Sequence, residues 1–152
     1  MSLHDDLLDQ AERLCSLDPK RPKQANLRRA ISATYYALFH LLVGDAVALF
    51  LPARNKPLRH QLARKFTHKQ MKAIAHAWST SPGPRGLSLL ADVFVELQEA
   101  RHEADYDLSS RFTRRQAEDQ VIRARAAVRA WSGVRTAPEA ERFLIELLVG
   151  KL

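Results

Sequence analysis

An all-α helical bundle is the fold class this sequence predicts, and three observations predict it. The five glycines and seven prolines fall in clusters that cut the chain into long unbroken stretches. Helix formers dominate those stretches, and none shows the two-residue alternation of a half-buried strand. Apolar side chains instead recur three and four residues apart, the period of an amphipathic helix. At 152 residues and 17.3 kDa the chain is long enough to bury one core and too short for two comfortable domains. The expectation is one helical domain over 1–152, an antiparallel bundle of four to five main helices plus a short C-terminal helix.

The first helix is expected over about 3–17, with Leu3, Leu7, Leu8, Ala11, Leu14 and Cys15 on one face. Asp5, Asp6 and Asp9 sit in its opening turns, where the helix dipole favours negative charge. Pro19 and Pro22 close that segment, and the second helix runs over about 22–50, near 40 Å long. From Ile31 onward it is apolar on most sides, as a central helix would be, and Gly44 gives it a place to bend or to admit a close neighbour. Pro52 and Pro57 bracket the next break. A third helix, about 58–78, would carry Leu58, Leu62, Phe66, Ile74 and Trp78 inward. Pro82, Gly83, Pro84 and Gly86 form a loop before a fourth helix, about 87–102, that buries Leu89, Leu90, Val93, Phe94 and Leu97. Thr113 and Gln116 spell a capping box for a fifth, about 114–132, burying Val121, Ile122, Ala126 and Val128. Gly133 and Pro138 mark the last break, and Pro138 opens a sixth helix, about 138–149, with Phe143, Leu144, Leu147 and Leu148 on one face.

Composition removes several classes of function. Hydrophobic residues at 46% against charged residues at 27% exclude intrinsic disorder. The single cysteine, Cys15, excludes a disulfide framework and a cysteine-built metal site, and it reads as a small buried apolar residue. The acidic start, without an apolar run, is unlike a signal peptide. Residues 30–51 are strongly apolar, yet Ser32, Thr34, His40 and Asp45 interrupt them. A carboxylate in mid-membrane costs about 2.5–3.5 kcal/mol, so a buried core helix in a cytoplasmic protein without a membrane partner is expected. There is no phosphate-binding glycine loop, no Gly-x-Ser-x-Gly elbow and no His-Glu-x-x-His pair. His102, Glu103, Asp105 and Asp107 are crowded, but successive acids just past a helix read as a solvated connection. No metal and no cofactor is expected.

Charge is less even than the net value of +7 suggests. From Ala46 to Ala91 there is no Asp or Glu, while Arg54, Lys56, Arg59, Arg64, Lys65, Lys69, Lys72 and Arg85 all occur. On one continuous third helix, His60, Arg64, His68, Lys72 and His76 would form a stripe. Two readings stay open. The segment meets an anionic partner such as RNA, with Arg59, Arg64, Lys65, His68 and Lys72 as contacts, or acids of neighbouring helices neutralise it.

Two motifs carry a resemblance. Ser32-Ala33-Thr34-Tyr35-Tyr36-Ala37-Leu38-Phe39-His40 is similar to the Ser-x-x-Tyr-Tyr-Ala-x-Phe-His signature of small bacterial HEPN-domain proteins. Arg101-His102-Glu103-Ala104-Asp105-Tyr106 resembles their Arg-x-x-Ala-Asp-Tyr motif. The resemblance spans about 22–132 and implies a helical bundle that pairs as a homodimer. It also implies kinship with metal-independent ribonucleases, among them toxins of toxin–antitoxin pairs that work beside nucleotidyltransferase partners. In cleaving members an arginine holds the scissile phosphate, and a histidine four to six residues later handles protons. Here Arg101 matches the arginine, Tyr106 stands where the histidine would, and His102 is the other candidate for proton handling. An ordinary phenol, with a pKa of about 10, is a poor base at neutral pH. Ala33 also stands where related sequences often carry arginine. The resemblance therefore implies an RNA- or nucleotide-associated protein, a degenerate ribonuclease rather than a full enzyme. The alternative is a non-catalytic dimeric module that docks a partner such as a nucleotidyltransferase.

Ser32, Tyr36 and His40 share one helix face at four-residue spacing, and Arg101, Asp105 and Tyr106 are their natural partners. Such a pocket is either an anion or nucleotide site or a buried network that fixes helix register. The network alone would explain the residues.

Overall fold

Seven helices account for the secondary structure in the computed structural model, which describes residues 2–152, and no strand occurs among them. They are α1 (Leu3–Ser16), α2 (Gln24–Phe50), α3 (Lys56–Ala63), α4 (His68–Ser79), α5 (Arg85–Tyr106), α6 (Arg114–Ser132) and α7 (Pro138–Val149). The all-α bundle read from the sequence is the fold.

The axis of the bundle is α2, which touches α1, α3, α5, α6 and α7. Its apolar run from Ile31 to Val47 has neighbours on nearly every side, and buried Thr34 turns its hydroxyl back to the Ala30 carbonyl at 2.7 Å. By length and composition α2 could cross a membrane, yet 56% of that window is buried inside the bundle. Two apolar clusters flank it. The larger joins Tyr35, Leu38 and Leu42 to Phe94 of α5, Met71 of α4, Trp131 of α6 and Phe143 of α7. The smaller holds Ala11 and Cys15 against Leu27, Ile31, Ala104 and Val121. Cys15 is buried as expected, and that burial pushes its thiol up to about 11.

End signals place several helices closely. Ser2 caps α1 by accepting the Asp5 N–H, and Thr113 with Gln116 forms the reciprocal capping box at the start of α6. Pro138 occupies the first turn of α7. Gln70 of α4 ties down the end of α7 by donating to the Leu147 and Leu148 carbonyls at 3.3 and 2.6 Å.

Three sequence expectations are corrected. The third helix is two helices. Arg64 ends α3, Phe66 turns into the core at 6% exposure, and Thr67 caps α4 by accepting the Gln70 N–H. The bundle therefore has seven helices where six were expected. The fourth helix continues to Tyr106 because Arg28 of α2 donates to the Ala104 and Asp107 carbonyls at 2.9 Å and to the Ser110 carbonyl. A guanidinium at that end satisfies orphan carbonyls and complements the helix dipole. Finally, Leu3, Leu58, Leu89 and Ile122 are exposed rather than inward. The buried face of α6 is Ala117, Val121, Ala124, Ala127 and Trp131, and Ile122 lies one residue, about 100°, off it.

Candidate functional site

The two motifs meet. Tyr36 on α2 and Arg101 on α5 are joined by a hydrogen bond, with Arg101 Nη2 donating to the Tyr36 hydroxyl at 2.9 Å. Arg101 Nε lies 3.0 Å from Asp105 Oδ2, an i,i+4 ion pair whose N–H is poorly aligned for a hydrogen bond. The Ser32 hydroxyl reaches the same Asp105 oxygen at 3.5 Å. The Arg101 guanidinium sits over three phenol rings, 5.6 Å from Tyr35, 5.3 Å from Tyr36 and 5.7 Å from Tyr106. Burial works against its charge, but the Tyr36 oxygen, Asp105 and Tyr106 outweigh that, and its pKa is raised. Nη1 has no hydrogen-bond partner among the described residues, so one edge of the fork remains for an oxyanion.

The remaining members lie close by. The His40 ring stacks on Tyr36 with centroids 6.0 Å apart. Tyr106 is 63% exposed and rests against the His102 ring at 4.9 Å, so the two proton-handling candidates face outward together. Ser32, Tyr36, His40, Arg101, Asp105 and Tyr106 are thus one constellation.

His68 is the residue that spacing misplaced. It was expected on a surface stripe with Arg64 and Lys72, but α3 ends before it, and as the first residue of α4 it turns into the aromatic cluster. The Tyr35 hydroxyl lies 2.6 Å from His68 Nδ1, and the imidazole packs on Phe39 at 4.6 Å. Tyr35 is fully buried, and burial drives its phenol pKa well above the ordinary value, so the hydroxyl keeps its proton. Burial, then Arg101, then His40 lower the His68 pKa, which favours the neutral ring. Only the Thr67 cap signal could have shown in the sequence that His68 begins a new helix.

The basic segment also resolves into parts. Arg59 donates through Nε and Nη2 to the Leu51 carbonyl at 3.1 and 2.6 Å, closing the end of α2. Lys72 pairs with Glu99 at 3.4 Å. Arg54, Lys56, Arg64, Lys65 and Lys69 are exposed, and none has an ion-pair partner among the described residues. The neutralising acids of the second reading are therefore present for Lys72 alone. No cluster of three or more metal-ligating side chains occurs among the described residues.

No family model matches the chain, and no curated protein or solved structure matches it either.

Proposed function

We propose that this chain is a HEPN-like, RNA- or nucleotide-associated protein of the cytoplasm that binds without efficient cleavage. The observation that carries the reading is the group of unpaired cations, Arg54, Lys56, Arg64, Lys65 and Lys69, running up to the α4 start, where His68 leads into the Arg101 cluster. Arg101 Nη1 contacts a phosphate, and the exposed lysines and arginines supply the salt-sensitive attraction. Cleavage is disfavoured because the His68 imidazole is tied to Tyr35, while Tyr106 and His102 face outward. Homodimerisation comes with the resemblance.

The second reading, a non-catalytic dimeric module docking a nucleotidyltransferase-type partner, has one observation in its favour. Asp105 and Tyr36 already engage the Arg101 side chain, as a register-fixing network would. The deciding experiment titrates single-stranded RNA against wild type, Arg64→Glu/Lys65→Glu and Arg101→Ala across salt, with metal chelated. RNA binding predicts a log–log slope that shrinks by about 1.4 in the double variant. Binding that ignores both salt and charge reversal sinks it, and co-purification with a nucleotidyltransferase would then favour the module.

A further inference from the structure

A groove of about 570 Å³ opens between the start of α1, the middle of α2, α3 and the turn before α7. That volume is within the range of sites for small organic ligands, about 300–1,000 Å³. Three imidazoles line it, His4, His40 and His60, together with the guanidinium groups of Arg59 and Arg135. Leu41, Val43 and Val47 supply an apolar wall. Its one lining carboxylate, Asp45, is already engaged. One oxygen accepts from Trp131 Nε1 at 2.7 Å, and the other lies 3.6 Å from Arg135 Nη1. Arg59 is held in place by the Leu51 carbonyl through Nε and Nη2, which leaves Nη1 without a partner among the described residues. His4 already faces the Ser2 hydroxyl at 3.0 Å and Asp5 at 3.7 Å, so Arg59 Nη1 and the His40 and His60 rings are the groups left to meet a ligand.

Gly44 adds an independent observation. It lies in the interior of α2, where glycine weakens a helix relative to alanine, and it is exposed in the groove. A Cβ placed there would meet nothing within 4 Å, so no neighbouring element requires the missing side chain. Gly86 is the contrast, since its Cβ would lie 2.7 Å from the Ala130 carbonyl. The notch at Gly44 is open space beside that surface.

We propose that this groove binds a small organic phosphate. The phosphate sits among Arg59, Arg135 and the imidazoles, and an apolar or planar body lies over Gly44 against the apolar wall. The site is distinct from the Arg101 cluster, although His40 stands between them, stacked on Tyr36 and lining the groove.

Calorimetric titration with phenyl phosphate tests it, with inorganic phosphate and phenol as the head-only and body-only probes. Wild type is expected to bind phenyl phosphate saturably and about tenfold or more tighter than either fragment. Gly44→Phe, which fills the notch, and His60→Ala, at an exposed position on α3, should each weaken binding by about tenfold. Arg101→Ala should leave it unchanged, and Gly44→Phe should leave RNA binding unchanged, which separates this site from the RNA reading. The absence of saturable binding by wild type overturns the proposal. So does phenol binding as well as phenyl phosphate, or inorganic phosphate doing so. Undiminished binding by His60→Ala together with a cooperatively folded Gly44→Phe overturns it as well.

Discussion

The Tyr35 hydroxyl and His68 Nδ1 are hydrogen-bonded across 2.6 Å, and this contact fastens the first turn of α4 to the middle of α2. Gln98 of α5 adds a second tie, donating to the His68 carbonyl at 3.0 Å. Three helices converge on one residue, so the charge state of His68 is coupled to how the α4 start is seated.

Folding stability should fall as pH drops below about 6.5. The folded-state pKa of His68 is depressed by burial first, then by Arg101 and His40, while the unfolded ring titrates near 6.5. The unfolded chain therefore binds the proton more readily. Stability contributed by the neutral ring is present above that pH and is lost as pH falls toward the folded pKa. Burial lowers the pKa of His40 as well, with the same sign. Urea midpoints measured between pH 8 and about 5 check this, and His68→Gln should flatten the dependence. The carboxylates of Asp18 and Asp107, held low by hydrogen bonds from the Lys23 N–H and Ser109 hydroxyl respectively, titrate below that window. An equal slope in His68→Gln would assign the dependence elsewhere.

Replacing Arg101 should cost stability as well as any RNA affinity. Alanine would leave the partly buried Tyr36 hydroxyl without its donor and remove the ion pair to the exposed Asp105, a loss of about 0.5–1.5 kcal/mol. Lysine keeps the charge but not the planar fork, so Arg101→Lys should recover only part of it. Chemical denaturation of the two variants measures the difference. Equal stability of wild type and Arg101→Ala would show that the guanidinium holds nothing together.

Some of this was legible in the chain and some was not, for identifiable reasons. The span of α6 was read as 114–132 and is Arg114–Ser132, because a capping box and Gly133 mark its ends. The bounds of α7 follow equally from Pro138. The break between α3 and α4 carries no glycine or proline, and only Thr67 signals it, so spacing ran the helix through. That error sent His68 to the surface. The contacts among Ser32, Tyr36, His40, Arg101 and Asp105 were readable because four-residue spacing survives intact on α2 and α5. Arg28 was invisible in that role, since its acceptors are backbone carbonyls 76 to 82 residues away.

That distant cap makes a prediction about the motif itself. Asp105 and Tyr106 occupy the last turn of α5, and Arg28 holds the carbonyls at and beyond that end. Arg28→Met keeps most of the apolar stem beside the Phe112 ring, which the guanidinium faces at 5.3 Å, but removes the donors. Amide hydrogen exchange at 103–107 should speed up by about tenfold, with little change in the middle of α5. Uniform exchange along the helix in both proteins would show that Arg28 does not hold the end.

The sharpest test of the packing is one substitution at two glycines with opposite expected signs. At Gly44 a methyl group meets open space in a helix interior, so Gly44→Ala should stabilise by about 0.5–1 kcal/mol and raise Tm by a few degrees. At Gly86 the same methyl group would lie 2.7 Å from the Ala130 carbonyl oxygen and 3.1 Å from Val134 Cγ1. A backbone carbonyl in α6 cannot swing aside as a side-chain tip can, so the start of α5 must move. Overpacking of that kind costs about 1–3 kcal/mol, more than the helix-propensity gain of alanine offsets. Thermal melts of the two single variants should bracket wild type. If Gly86→Ala melted at or above wild type, α5 and α6 would be further apart than the close approach at Gly86 requires.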